Sequence, residues 1–435
     1  MKLSTKIFRS VMALAMLSAL FLQGCVRDNC NLDYTYAKYS PVYMTASAFE
    51  GAVEMLPAQD IKNPGKIYIK DAFLFINEVG KGVHVLDNDD PTNPVALGFL
   101  RVPGNYEIQA NCDKLYLDSS KDLLVFDISN PAKPVLENRV RNAMPHIVEY
   151  RGYVADASQG VVVEWVEEIV TEPYNCETGI PAIWELNQVD PNVVRTVGSI
   201  SRSVNPASPG KAGSMSRFAI QDEHMYVILP QEMWVFNAAV CGQPVLTNKV
   251  PVDMWGGEAE MIFSNGEYLF VGATNGMRIF TTEFGADNPT LKGVLEHANS
   301  CDPVVTDGDY AYVTLRNGDG RRCGDNFANQ LDIVDIRQPA QPRLMSTFPM
   351  TNPHGVGVDQ SVLFIADGEA GLRVFDAKDP INSGNKKLAH FPDMQGFDVI
   401  PYEGTLIMIG ADGVAQYDYT DPKDIKLLST IPVTR

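Results

Sequence analysis

The stretch "LLVFDISNPAKP" (residues 123–134) returns about two hundred residues later as "LDIVDIRQPAQP" (331–342). Each copy is a short apolar run, an Asp, and a turn closed by Pro. The run has the length and β-branched or aromatic content of a buried strand. The Asp carboxylate is placed to accept the backbone N–H two residues on, and the later Pro keeps the strand from continuing. Four further copies follow the pattern: "GVHVLDNDDPTNP" (82–94), "MWVFNAAVCGQP" (233–244), "LRVFDAKDPINSG" (372–384) and "VAQYDYTDPKDI" (414–425). Two weaker ones are "VVVEWVEE" (161–168) and "MRIFTTEFGADNP" (277–289). The aligned positions are Asp87, Asp127, Val166, Asn237, Thr281, Asp335, Asp376 and Asp418. Their basal spacing is close to 40 residues, stretched by insertions at about 168–212 and 315–329.

Around each copy an apolar stretch, a turn and an aromatic-rich strand such as "VLFIADG" precede the motif, and one more strand follows it. Four short antiparallel strands per unit of about 40 residues predict the blade of an all-β β-propeller. Eight copies point to eight blades, or to seven if one weak copy is not a blade. The series resembles the LVIVD-repeat family, most clearly at 331–342 and 123–134, and is similar to bacterial lipoproteins of that family. The resemblance implies the propeller fold over residues 64–435 and carries over no catalytic residue.

Lys2, Lys6 and Arg9 precede the apolar "VMALAMLSALFL", which is too short for a permanent membrane span. The following Leu22-Gln23-Gly24-Cys25 resembles a bacterial lipobox, with Gln23 in place of the usual small residue. Residues 1–24 are thus expected to be a signal peptide, with a lipid on Cys25 anchoring the chain to the cell envelope, at the outer membrane. Residues 25–63 are expected to form a tether and a possible ring-closing segment. Within them Ser47 and Glu50 have the spacing of a capping box. The formal charge of −19 argues against non-specific nucleic-acid binding, which needs a basic face to neutralise phosphates. Besides Cys25 there are six cysteines, an even number that suits an oxidising compartment.

One polar residue opens each innermost strand: Lys66, His146, Arg217, Glu260, Asp302, His354 and Asp398, with Tyr106 or Glu107 in the second unit. A buried polar group without a partner costs about 1–3 kcal/mol, so this set is expected to line a hydrated channel mouth. Asp302 and His354 with a further carboxylate would also suit a divalent cation such as calcium, although no spacing motif supports one and no cofactor is predicted. A Cys301–Cys323 disulfide would pin the "NGDGRRCGDN" loop over the mouth. The insertion at about 168–212, containing Trp184, is expected on the opposite face. No catalytic signature occurs. The leading expectation is a non-enzymatic, lipid-anchored propeller that binds a protein, glycan or surface-polymer partner. The alternatives are an envelope hydrolase or lyase working at the mouth, and a scaffold in an outer-membrane complex.

Overall fold

The computed structural model describes residues 33–144, 149–150, 153–173, 216–252, 257–296, 303–317 and 329–434. The chain divides into two units, Met1–Lys38 with Glu167–Arg195, and Tyr39–Val166 with Thr196–Arg435. The described part of the first is two strand segments, in which the Thr35 and Thr171 hydroxyls lie 3.0 Å apart. The second unit is the propeller.

It has seven blades, each four antiparallel strands drawn from consecutive sequence. Blade 1 comprises Pro64–Lys70, Phe73–Glu78, Gly82–Asp87 and Val95–Arg101, and blade 2 comprises Ile108–Asn111, Lys114–Ser119, Asp122–Asp127 and Val135–Val140. Blade 3 comprises Phe218–Gln221, His224–Ile228, Glu232–Asn237 and Val245–Pro251, and blade 4 comprises Ala259–Ser264, Tyr268–Ala273, Gly276–Thr281 and Thr290–Glu296. Blade 5 comprises Val304–Asp307, Tyr310–Leu315, Gln330–Asp335 and Arg343–Pro349, and blade 6 comprises Val356–Asp359, Val362–Ala366, Leu372–Asp376 and Lys387–Phe391. Blade 7 comprises Gly396–Tyr402, Thr405–Gly410, Gly413–Asp418 and Lys426–Pro432. Each pair of neighbouring blades buries its own apolar cluster, blade 7 against blade 1 included, so the ring is closed.

The motif residue ends the third strand of every blade and does the same thing each time. Asp87, Asp127, Asn237, Asp335, Asp376 and Asp418 accept, through a side-chain oxygen, the N–H two residues on at 2.8–3.1 Å. The Thr281 hydroxyl does so at 3.2 Å. The turn delivers the chain to the fourth strand, which pairs with the third through a register shift in every blade.

The eighth copy is not a blade, and the preference for eight gives way to seven. Val166 has no side-chain acceptor for the turn, and the strand that contains it, Val161–Pro173, pairs with Asp33–Met44 instead. Within the propeller unit this displaced copy builds an aromatic stack. Tyr39 meets Tyr150 edge-on at 5.1 Å, and Tyr150 stacks on Trp165 at 5.7 Å. It rests on the turns between second and third strands of blades 1 and 2. The Val162 carbonyl accepts from Ser120 Oγ at 2.8 Å, and Glu164 pairs with Lys81 at 3.1 Å. That is the face on which the innermost strands begin. The expectation that residues 168–212 leave from a third strand toward the opposite face loses its premise, and residues 174–212, Trp184 among them, lie outside the described residues.

Before blade 1 a short helix, Ala46–Gly51, is capped by Thr45, whose hydroxyl accepts from the Ala48 N–H. Ser47 therefore lies inside the helix and is not its cap. Glu54–Leu56 adds a fifth strand to the outer edge of blade 1. Among the described residues no strand is exchanged to close the ring. Asn88 and Gln416 exchange side-chain amide hydrogen bonds of 2.9 and 2.7 Å, and Ile61 bridges Val433 in parallel.

Candidate functional site

Lys66, Glu107, Arg217, Glu260, His354 and Asp398 all stand in, or one or two residues before, the first strand of a blade, as the sequence predicts. His146 and Asp302 lie outside the described residues, as do Cys25, Cys301 and Cys323. The described members fall into two groups of different character.

On blades 1 to 3 the polar groups satisfy one another. The Lys66 ammonium is ion-paired with Glu107, both side chains about nine-tenths buried, and this decides between Tyr106 and Glu107. Burial pushes the Lys66 ammonium down from its ordinary range, with Glu107 opposing. The same Glu107 oxygen accepts from the Arg217 backbone N–H at 3.2 Å. Beneath the pair, Asp118 Oδ1 accepts the N–H groups of Tyr106 and Glu107, each at 2.7 Å, and the Asn105 amide at 3.0 Å. Asn77 donates to Asn105 Oδ1 at 2.7 Å and completes the support. Asp367 plays a matching part on blade 6. It is fully buried at the end of a second strand, accepts from the Thr351 and Asn352 N–H groups, and pairs with Arg373 at 2.7 Å. These connector-holding carboxylates were missed by attention to first strands alone. Their signal is the shared Asp in "KLYLDSS" and "VLFIADG".

On blades 5 to 7 the balance differs. His354 is 7% exposed, its carbonyl accepts from Thr314 Oγ1 at 3.0 Å, and its backbone N–H donates to the Ala366 carbonyl. The Gly355 N–H then donates to the Phe397 carbonyl at 2.9 Å, which locks blade 6 to blade 7. Asp398 is fully buried, and a Cβ at Gly355 would lie 1.8 Å from its Oδ1, so only glycine allows this approach. The Phe397 ring lies 5.5 Å from the imidazole. Against this fixed frame the His354 Nε2 atom is buried and has no hydrogen-bond partner among the described residues. Burial, with the nearby Arg316 charge, pushes its pKa down to about 3, so the imidazole is neutral at pH 7.

A measurable consequence follows for stability. The unfolded imidazole, at an ordinary 6.5, takes up a proton as pH falls below that value, and the folded one does not until about 3. Stability due to this group is therefore complete above pH 6.5 and falls as pH drops through that window, by about 2–3 kcal/mol at pH 4.5. His354→Gln removes this component. Urea midpoints at pH 7 and 4.5 are expected to diverge less for the variant than for the parent; equal divergence would refute the assignment.

Among the described residues no group of three or more His, Cys, Asp or Glu is placed to hold a metal ion. No described helix is long and apolar enough to cross a membrane. The described disulfide is Cys112–Cys241, which joins blade 2 to blade 3.

The LVIVD repeat family model matches residues 116–142 and 325–349, which contain the two stretches first compared. No curated protein matches the chain. Among solved structures, the chain is similar to a candidate 6-phosphogluconolactonase from Bacteroides fragilis, at 10% identity and TM-score 0.53, covering 85% of this chain and 94% of that one. It is similar to the periplasmic gluconolactonase of Pseudomonas aeruginosa, at 11% identity and TM-score 0.52, covering 85% and 95%. A protein from Lactobacillus plantarum gives 12% identity and TM-score 0.52, covering 85% and 96%. At such identities the likeness is one of fold alone.

Proposed function

Because this chain carries LVIVD repeats in a ring of seven blades, we propose that it is a ligand-binding propeller of the cell envelope, tethered by lipid on Cys25, with its site at the channel mouth beside His354. The observation that carries the reading is the buried His354 Nε2, held by rigid backbone on both sides and without a protein partner among the described residues. A polar atom in that state is stabilised when a ligand supplies the missing hydrogen bond. The Cys112–Cys241 bridge supports an oxidising compartment, in keeping with the export segment.

Hydrolysis is the weaker reading. A general base works best with a pKa near the operating pH, and an imidazole at about 3 is too weak a base to hold a proton there. The likeness to gluconolactonases, at 10–11% identity, is one of fold and brings no activity to this chain.

The test is a thermal-shift screen of the mature lipoprotein in detergent against soluble peptidoglycan fragments, lipopolysaccharide core saccharide and envelope peptides, with lactone hydrolysis followed in parallel. At least one class is expected to stabilise the parent protein. His354→Phe should weaken that binding about 5- to 150-fold, the loss of one buried hydrogen bond, without turnover in either protein. Equal binding by both proteins, absence of binding by every class, or turnover abolished in the variant would each overturn the proposal.

A further inference from the structure

Each blade runs on into the next through its own stretch of chain, but blades 7 and 1 are last and first in sequence, so no connector joins them. This seam is held by segments that converge on blade 1. The segment entering blade 1 lies along the one leaving blade 7: Ile61 bridges Val433 in parallel, and the Thr434 N–H donates to the Ile61 carbonyl at 2.8 Å. The Val433 N–H donates at 3.1 Å to the carbonyl of Asp412, in the turn between the second and third strands of blade 7.

A buried carboxylate grips the entering segment in turn. Glu78, 8% exposed at the end of the second strand of blade 1, accepts the Asn63 N–H at 2.7 Å on one oxygen and the Lys62 N–H at 3.0 Å on the other. His84 Nε2 lies 3.0 Å from that second oxygen, and its buried ring is 4.8 Å from Phe99. Burial would push the Glu78 carboxyl up, but His84 and the two N–H groups outweigh it and hold the group below its ordinary value. The Asn63 carbonyl accepts from the Val79 N–H at 3.0 Å, which fixes the segment from its other side.

We infer that Glu78, oriented by His84, is the clasp of the ring, and that the seam between blades 7 and 1 is where the propeller opens as a unit. Opening there frees residues 61–63 and 433–434 together while the other blades stay stacked. This is a device of the fold and does not depend on what the protein binds.

Hydrogen exchange on the full mature protein, parent and Glu78→Gln, tests the clasp. The Lys62 and Asn63 amides touch Glu78, whereas those of Val433 and Thr434 bond to other partners. All of them are expected to exchange faster in the variant by a common factor of about 10 to 150, the worth of one hydrogen bond to a charged group. The Ile228 and Ile336 amides, at blades 3 and 5, should keep the parent rate. Thr434→Pro, which removes a donor on the tail side, should speed Lys62 and Asn63 in return. Faster exchange confined to Lys62 and Asn63 would reduce Glu78 to a local support and overturn the proposal. An equal rise at Ile228 and Ile336 would also overturn it, since the ring would then open as a whole. Glu78→Asp keeps the charge but shortens the reach, and gives the same reading should Glu78→Gln fail to fold.

Discussion

Replacing Cys112 and Cys241 together by Ser lowers the stability of the folded protein by about 5 kcal/mol in the chain-entropy account, the largest single loss expected here. The bridge spans 129 residues, among them the displaced copy and the long insertion, so without it the unfolded chain regains a large loop. Blades 2 and 3 are neighbours in the ring yet far apart in sequence, and no short connector holds them in register. What else crosses this junction near the bridge is modest. Asn138 donates to the Gly242 carbonyl at 3.1 Å, and the Gly242 N–H donates to the Tyr116 hydroxyl at 3.3 Å. Cys112 also sits at φ 54°, in a hairpin corner where Gly or Asn is the usual occupant. Guanidinium unfolding with and without reductant reads the effect. The parent midpoint should fall on reduction to that of the double variant, whose own midpoint should ignore the reductant. Coincident midpoints for oxidised parent and variant would contradict the expectation.

Lys66→Met is expected to destabilise by about 3–5 kcal/mol, because it strands the Glu107 carboxylate in a site about nine-tenths buried. The remaining acceptor contact, from the Arg217 N–H at 3.2 Å, does not replace an ammonium. Adding Glu107→Gln to Lys66→Met should recover most of the loss, since the buried charge is then gone. A double-mutant cycle with urea midpoints separates the two cases. Single and double variants of equal stability would show that the pair is not coupled as the geometry has it.

The blade was readable in the sequence because one local rule repeats. A side-chain oxygen at the end of a strand captures an N–H two residues on, and the rule survives the change from Asp to Asn237 and to Thr281. The same rule, applied strictly, would have removed the copy at Val166, which has no such oxygen. Apolar alternation made 161–166 look like a third strand, and only its pairing partner, Asp33–Met44, distinguishes it. Placing Lys66, Glu107, Arg217, Glu260, His354 and Asp398 at the first strands of their blades was legible for a similar reason, as position within a repeat fixes position within a blade. Which members satisfy one another was not. Lys66 and Glu107 lie 41 residues apart, and nothing local tells that they pair while His354 Nε2 is left over. The Cys112–Cys241 pairing was likewise hidden, one choice among many for six cysteines.

The way the ring shuts has a bearing on biosynthesis. The side of blade 1 formed by Ile67, Ile69, Leu74 and Ile76 is covered by Ile400, Ile407, Ile409 and Val414, which are synthesised long after blade 1. Until they arrive, an early-made greasy wall faces water. A chain stalled or clipped before residue 400 thus exposes a ready aggregation surface, and a holding chaperone has a defined patch to shield.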